Sequence, residues 1–244
     1  MRQFGLIGYP LSHSFSKGYF AEKFQKEGIA DCQYDVFPLA DIEDFVELCE
    51  QHKNLAGLNV TIPYKEKIIP FLDELNEEAA AIGAVNTIKF IEGKMIGFNT
   101  DCYGFEMSLK PLLEPHHRNA LILGTGGASK AVEYVLKKLG IANQYVSRNK
   151  SANTINYDEL DERIIHHSKL IINSTPLGMY PNIQNSPDIP YDFITDKHLL
   201  YDLIYNPEET KFLKEGKQHG AQTKNGLEML YLQAEKSWEI WNSR

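Results

Sequence analysis

The chain has 244 residues, 43% hydrophobic and 24% charged, which is typical of a globular protein with one large domain or two modest ones. Acidic residues outnumber basic ones by 33 to 25, and the net charge of −8 argues against nucleic acid as a partner, because phosphate binding needs a basic face. Isolated cysteines at 32, 49 and 102, with no signal-peptide core and no transmembrane-length run, predict a cytoplasmic protein without a metal centre or membrane partner.

Predicted strands and helices alternate through the first half of the chain. Apolar runs and helical spacing predict, in order, strand 4–8, helix 15–27, strand 34–37, helix 42–49, strand 55–60 and helix 74–82. Strands 84–91 and 95–98 follow, joined by the hairpin signal Glu92-Gly93-Lys94. A helix over 101–113 then begins at Asp101, a favoured N-cap residue type.

The second half repeats this alternation after a stretch rich in proline and histidine at 111–118. The predicted strands are 120–123, 144–147, 170–173 and 199–204, and the predicted helices are 127–139, 208–219 and 226–241. Strand–helix–strand order with short turns predicts a parallel, doubly wound α/β sheet.

The segment from Asn59 to Lys65 places polar side chains directly after a buried strand. Pro63 suits the first turn of a helix, so we expect Asn59, Thr61 and Lys65 to surround one strand-to-helix turn. A lysine there would face the positive end of the helix dipole, which favours a residue that exchanges a proton. A second polar turn ending at Asp101 supports a functional role. The alternative is an exposed surface lysine with a threonine cap.

A glycine-rich turn follows strand 120–123 and opens the next helix. Gly124 would allow the tight turn and Gly126 the close approach of a pyrophosphate, with Ser129 in place of the usual third glycine. Arg148 directly follows the next predicted strand, at the place where an NAD site usually carries an acidic residue. Arginine suits the 2′-phosphate of NADP. The alternatives are a plain turn and a surface pair formed by Arg148 and Lys150.

Two further segments of the first half carry polar side chains suited to a small ligand. Ser14 and Ser16 open the helix after the first strand, where hydroxyls and free N–H groups could bind a carboxylate or simply cap the helix. The amide of Asn86 interrupts a strand, where it could bind ligand hydroxyls or be an ordinary polar position at an edge. Together these residues predict a ligand that bears a carboxylate and several hydroxyls.

In their order, these motifs closely resemble those of the shikimate dehydrogenase family. The resemblance runs from residue 5 to residue 234. The segments that carry it are GYPLSHSFS (8–16), NVTIPYKE (59–66), GAVNT (83–87), GFNTD (97–101), GTGGAS (124–129), SR (147–148), NSTP (173–176), DLIYNP (202–207) and GLEMLYLQA (226–234).

The resemblance implies a fold, a cofactor and a set of site residues. The fold would be an N-terminal α/β substrate domain (1–101 and 224–244) and a Rossmann-like NADP-binding domain (102–223), with the C-terminal helix returning to the substrate domain. Lys65 and Asp101 would be the catalytic pair. The substrate would contact Ser14, Ser16, Thr61, Asn86, Asp101, Tyr205 and Gln233, and NADP would contact Gly124, Gly126, Gly127, Ala128, Arg148, Leu203, Gly226 and Met229.

The implied activity is the reversible, NADPH-dependent reduction of 3-dehydroshikimate to shikimate, by a monomer or homodimer. Three alternatives remain open. A quinate/shikimate dehydrogenase would share nearly all of these residues but often prefers NAD. A different Rossmann reductase would need a nucleophilic cysteine motif or a basic RNA-binding face. A metabolite-sensing domain would bind the same ligand without turnover, and it would be expected to lose Lys65 or Asp101.

Overall fold

The structure, a computed structural model, describes residues 1–11, 15–149, 151 and 153–243. The chain divides into two compact units, Met1–Thr100 with Ala234–Arg244, and Asp101–Gln233. The expected domain limits at 101 and 224 remain a proposal. No helix of the described residues is long and apolar enough to cross a bilayer.

The first unit is built on a six-stranded mixed sheet with the strand order β2-β1-β3-β5-β6-β4. Its elements are β1 (Arg2–Gly8), α1 (Phe15–Lys26), β2 (Cys32–Pro38), α2 (Asp44–Gln51), β3 (Leu55–Val60), β4 (Glu74–Leu75), α3 (Glu77–Ile82), β5 (Thr87–Ile91) and β6 (Lys94–Phe98). Strands β1, β2 and β3 are parallel, whereas β5 runs antiparallel to both β3 and β6.

Both faces of this first sheet are covered. Strand β1 contributes Phe4 to the apolar cluster on one face and Ile7 to the cluster on the other, as the two-residue period of a strand requires. The last turn of the C-terminal helix closes the Phe4 face, where the ring of Trp241 lies against Gly57 and donates to the carbonyl of Ile88 at 2.9 Å. A Cβ on Gly57 would lie 2.2 Å from this ring, so a larger residue would displace the helix.

The second unit contains a six-stranded, wholly parallel sheet with the order β12-β11-β10-β7-β8-β9. Its elements are α4 (Asp101–Leu109), β7 (Asn119–Leu123), α5 (Gly127–Lys138), β8 (Ala142–Val146), β9 (Thr154–Ile155), α6 (Glu162–His167), β10 (Leu170–Asn173), β11 (Leu199–Asp202), α7 (Lys211–Gln218), β12 (Gln222–Lys224) and α8 (Leu227–Asn242), whose residues from Ala234 onward belong to the first unit. Numbered from β7, this is the 3-2-1-4-5-6 order of a dinucleotide-binding sheet.

Most predicted elements are present, but β4, β9, α6 and β12 were not predicted, and the helix expected over 208–219 begins at Lys211, after its cap Thr210. Other expectations are corrected as follows. No α-helix begins at Pro63, because residues 62–63 and 65–68 form separate turns. Helix α3 begins at Glu77 rather than at 74, because the side chain of Asn76 caps it by accepting from the N–H of Ala79. The sheet of the first unit is mixed because the predicted hairpin of β5 and β6 joins the parallel strands, with β5 antiparallel to β3.

Candidate active site

In the first unit, polar residues gather at the carboxyl ends of β1 and β3. From β1 the chain continues to β2 on one side of this pair, and from β3 it continues to the strands on the other side, so the strand order reverses between β1 and β3. Open α/β sheets bind ligands at such a reversal. The N–H of Thr61 donates to the carbonyl of Ile7 at 2.9 Å, and a Cβ on Gly8 would lie 2.5 Å from the Thr61 methyl group. Glycine at position 8 therefore lets the two strand ends meet and sets Thr61 at this edge.

Lys65 lies in a turn that is held by tertiary hydrogen bonds rather than by a helix. The carbonyl of Lys65, which a helix would offer to the N–H of Ile69, accepts from the N–H of Val85 at 2.7 Å instead. The turn is also fixed by the buried side chain of Tyr64, whose hydroxyl donates to the carbonyl of Leu39 at 2.7 Å. The predicted influence of a helix dipole on Lys65 is therefore wrong, but its backbone lies on a turn that tertiary hydrogen bonds hold.

Asn86 is almost fully buried, and its amide has a fixed orientation. Its Oδ1 accepts from the N–H of Thr100 at 2.6 Å, and its Nδ2 donates to the Thr100 hydroxyl at 3.0 Å. Asp101, the next residue in the chain, is buried and begins α4. The bonds to Thr100 thus fix the backbone directly before Asp101. The pairing of Lys65 with Asp101 stays a prediction.

The predicted carboxylate-binding segment is described in part. Ser14 lies outside the described residues, as do Ser12 and His13. Ser16 is the second residue of α1 and half-buried. Burial raises the pKa of the Tyr34 phenol, and a hydrogen bond with the Ser16 hydroxyl opposes that rise. Ser16 therefore lies at the start of a helix of twelve residues, with its hydroxyl against a buried tyrosine.

In the second unit, the glycine turn lies between β7 and β10, where the strand order reverses. Gly124 has φ of +101°, a conformation that glycine adopts without strain. A Cβ there would lie 2.9 Å from the methyl group of Thr175, in the loop after β10. Both the backbone conformation and the close approach of this loop therefore require glycine at position 124.

Gly126 is the N-cap of α5, and a Cβ added to it would meet no protein atom within 4 Å. The first N–H groups of a helix, including those of Gly127 and Ala128, have no partner within the helix. Ser129 is fully buried, and its hydroxyl donates to the Gly126 carbonyl at 2.6 Å. Serine thus serves in place of the usual third glycine, and the turn keeps an open, N–H-rich surface that fits a pyrophosphate.

Arg148 is exposed just beyond the carboxyl end of β8, the strand next to β7. Burial raises the pKa of the Tyr157 phenol, and the positive charge of Arg148 opposes part of that rise. This position beside the glycine turn suits the 2′-phosphate of NADP. Lys150, the second predicted cation, lies outside the described residues.

Three further residues predicted to contact the cofactor lie in the second unit. Leu203 follows β11, and its N–H donates to the carbonyl of Asn173 at 3.0 Å. Gly226 precedes α8 and packs so closely that a Cβ would lie 2.1 Å from the Leu203 carbonyl oxygen. Met229, one turn into α8, is 7% exposed. Leu203 and Gly226 are therefore brought together directly.

A buried carboxylate, to which the motifs give no role, holds these loops in place. Asp202 ends β11 and accepts hydrogen bonds from the Thr210 hydroxyl at 2.5 Å and from Asn173 Nδ2 and the Ile204 N–H, each at 3.0 Å. Burial raises the pKa of Asp202 to about 6, and these three hydrogen bonds oppose the rise. An acidic residue at the end of an otherwise apolar strand was the signal that could have identified it.

The last two predicted substrate residues also belong to the second unit. Tyr205 is 36% exposed, and burial raises its pKa. Gln233 is half-buried on α8 and donates through Nε2 to the carbonyl of Leu230 at 2.9 Å. Across the described residues, no cluster of histidine, cysteine and acidic side chains could hold a metal ion.

The chain is similar to known proteins over nearly its whole length. Residues 6–88 match the family model of the shikimate dehydrogenase substrate binding domain. A shikimate dehydrogenase (NADP(+)) from Methanosphaera stadtmanae is 38% identical over 98% of this chain and 91% of its own length. The solved shikimate 5-dehydrogenase of Listeria monocytogenes, in complex with shikimate and NAD, has a TM-score of 0.89 at 28% identity and covers 100% of this chain and 92% of that one. The solved shikimate 5-dehydrogenase of Thermus thermophilus, in complex with NADP(H) and shikimate, has a TM-score of 0.87 at 30% identity and covers 99% of this chain and 94% of that one. The chain therefore belongs to the shikimate dehydrogenase family.

Proposed function

We propose that this protein is an NADP-dependent shikimate dehydrogenase that reversibly reduces 3-dehydroshikimate to shikimate in aromatic amino acid biosynthesis. The observation that carries the proposal is the identity of 38% over 98% of the chain with an NADP-dependent shikimate dehydrogenase. The proposed setting is the cytoplasm, with a monomer or homodimer as the working form.

The second unit suits the cofactor. Gly126, Gly127 and Ala128 would bind the pyrophosphate through backbone N–H groups, because the open face of Gly126 leaves room for it. Arg148 would bind the 2′-phosphate. Leu203, Gly226 and Met229 would line the nicotinamide end. When bound, the cofactor supplies the hydride.

The first unit would supply most of the substrate contacts. Ser14 and Ser16 would bind the carboxylate at the start of α1, and Thr61 and Asn86 would bind ring hydroxyls. From the second unit, Asp101 and Gln233 would contact further hydroxyls, and Tyr205 would line the site.

Lys65 and Asp101 would carry out the proton transfer. As the ketone is reduced, its oxygen gains negative charge and takes a proton, which the ammonium of Lys65 would supply after stabilising that charge. Asp101 would accept a hydrogen bond from Lys65, orient it and help to return the proton. In the reverse direction, neutral Lys65 would take the proton from the hydroxyl of shikimate.

One assay tests this function against its rivals. Purified protein is mixed with NADP+ or NAD+ and with shikimate or quinate, and cofactor reduction is followed by absorbance. We expect turnover with shikimate and NADP+ to exceed the other three combinations. Comparable rates with quinate and NAD+ would indicate the quinate/shikimate dehydrogenase, an alternative supported by the likeness to a solved quinate dehydrogenase from Corynebacterium glutamicum in complex with NAD, at 25% identity and a TM-score of 0.86. Shikimate binding without turnover would indicate a sensing domain.

A further inference from the structure

The first unit contains a connected set of buried, uncharged polar side chains, here called the Asn59 network. Its six members are at most 6% exposed. They are Tyr34, Asn59, Asn86, Thr87, Thr100 and Ser237. Burying six polar side chains is costly unless each one is hydrogen-bonded, so a set of this size calls for an explanation.

Ser237, on α8, lies at the centre of the Asn59 network. Its hydroxyl is 3.0 Å from Asn59 Nδ2, 2.8 Å from the Thr87 hydroxyl and 3.1 Å from the Thr100 hydroxyl. Because Asn59 Nδ2 can only donate, the Ser237 hydroxyl oxygen accepts this bond. Ser237 therefore joins β3, β5 and the segment before α4.

The orientation of Asn59 is fixed from the other side. The hydroxyl of Tyr34 donates to Asn59 Oδ1 at 2.8 Å, so Nδ2 must point toward Ser237 and Thr87. Burial raises the pKa of Tyr34, which keeps this donor neutral. Hydrogen bonds thus run in a defined direction from Tyr34 through Asn59 toward Ser237 and Thr87.

The same direction continues to Asn86. Its Oδ1 accepts from the Thr100 N–H at 2.6 Å and from the Thr87 hydroxyl at 3.2 Å. Its Nδ2 carries two hydrogens, and the bond to the Thr100 hydroxyl uses one. With Oδ1 directed inward, Asn86 can offer a ligand an N–H donor and not a carbonyl acceptor.

We propose that Ser237 and Asn59 are positioning residues of the substrate site, which orient Asn86 so that it recognises an oxygen acceptor on the substrate. The inference rests on the proposed function, since it assigns the support for one of its substrate contacts. It adds that a residue of the C-terminal helix, without touching substrate, contributes to substrate specificity.

The test is the kinetics of Ser237→Ala with shikimate and with analogues that each lack one ring hydroxyl. We expect the KM for shikimate to rise about tenfold, the scale of one hydrogen bond. The KM for NADP+ should stay within about twofold, because no cofactor contact is altered. For the analogue that lacks the hydroxyl bound by Asn86, wild type and Ser237→Ala should have equal kcat/KM, since there is no hydrogen bond left to lose.

Ser108→Ala is the matched control. Ser108 is also a buried helical serine, bonded to the Gly104 carbonyl and the Tyr201 hydroxyl, each at 2.7 Å, but it lies outside the Asn59 network. Its replacement should leave the shikimate KM unchanged. If Ser237→Ala does not fold, Thr87→Val keeps the shape of the buried side chain, removes its hydroxyl and should give the same kinetic pattern.

The outcomes separate the inference from the proposed function. An unchanged shikimate KM in Ser237→Ala would overturn the positioning role, as would an equal loss with every analogue or a parallel rise in the KM for NADP+. A wild-type protein that does not oxidise shikimate would overturn the proposed function and the inference with it.

Discussion

The two units have strand edges of opposite character, and the proposed function assigns a different ligand to each. In the first unit, the edge is built from side chains, and the network around Asn59 is neutral and bonded to itself. In the second unit, the edge is built from backbone, with glycines at 124, 126 and 226 and the buried carboxylate of Asp202 behind them.

The two kinds of edge suit two kinds of ligand recognition, one by side chains and one by backbone N–H groups. A hydroxylated ring is distinguished from its analogues by oriented side chains, whose donors and acceptors must be fixed in advance. A pyrophosphate is similar in every dinucleotide, so N–H groups at a helix end and space for close approach suffice. Substitutions at the side-chain edge of the first unit should therefore change catalysis and substrate choice, whereas those at the glycine edge of the second unit should change cofactor affinity.

The largest effect is expected from Lys65→Ala. Loss of the proton donor should lower kcat about 10²- to 10⁴-fold, while NADPH binding stays unchanged. The measurement is steady-state kinetics together with NADPH fluorescence titration. Lys67→Ala, an exposed lysine on the same turn, is the control and should keep wild-type turnover. Wild-type kcat in Lys65→Ala would contradict the proposed mechanism.

Two glycine substitutions test whether the glycine edge of the second unit binds NADPH. Gly126→Ala should weaken NADPH binding by about tenfold or more, because the new methyl group enters the space of the pyrophosphate. Its stability should fall by only about 1 kcal/mol, the cost of a poorer N-cap. Gly226→Ala should lose both binding and stability, because its Cβ would lie 2.1 Å from the Leu203 carbonyl oxygen.

The control for these variants is Gly18→Ala, in the exposed part of α1, where a Cβ also meets no atom within 4 Å. It should leave NADPH affinity unchanged and stabilise the helix slightly. Calorimetric titration and urea unfolding measure both quantities. Wild-type NADPH affinity in Gly126→Ala would show that the pyrophosphate does not bind at this turn.

Arg148→Ala tests the choice between NADP and NAD. Loss of a charged partner of the 2′-phosphate should raise the KM for NADPH about tenfold and leave the KM for NADH unchanged. Arg163→Ala, an exposed arginine on α6, should change neither value. An unaltered NADPH-to-NADH preference would remove Arg148 from the cofactor site.

A smaller, pH-dependent effect is expected from Asp202→Asn. The pKa of Asp202, about 6, lies above the ordinary value of 3.8, so the folded state takes up a proton first and gains stability as pH falls through 6 toward 3.8. An asparagine side chain at this position cannot titrate, so the variant's stability relative to wild type should decline by about 2–3 kcal/mol across that window.

Urea unfolding of wild type and Asp202→Asn at several pH values measures this difference. Burial lowers the pKa of His117 and His198, which makes wild type lose stability as pH falls below about 6.5. The histidines are common to both proteins, so their effect cancels in the difference. A difference independent of pH would mean that Asp202 is not held at a raised pKa.

Local patterns were sufficient where neighbouring residues determine the structure. Strand Leu55–Val60 lies where its apolar run predicts it, and the hairpin turn has positive φ at Glu92 and Gly93, of 52° and 76°. The glycine turn at 124 was also predictable, because its backbone conformation and the strand before it are both encoded locally.

Long-range hydrogen bonds account for what could not be predicted. The turn at Lys65 is set by Val85, and the helix expected from Pro63 does not form. The partner of Asn59 is Ser237, 178 positions away, and nothing in an apolar C-terminal helix indicates which strand its one serine will meet. Asp202 likewise acquires its role only when Asn173 and Thr210 fold against it.

The most direct test of the division between the two edges is the titration of shikimate and NADPH, separately, into Gly126→Ala. If side chains of the first unit recognise the ring and the backbone of the second unit binds the dinucleotide, shikimate affinity will stay within about twofold of wild type, while NADPH affinity falls about tenfold or more. Equal loss of both affinities would contradict that division.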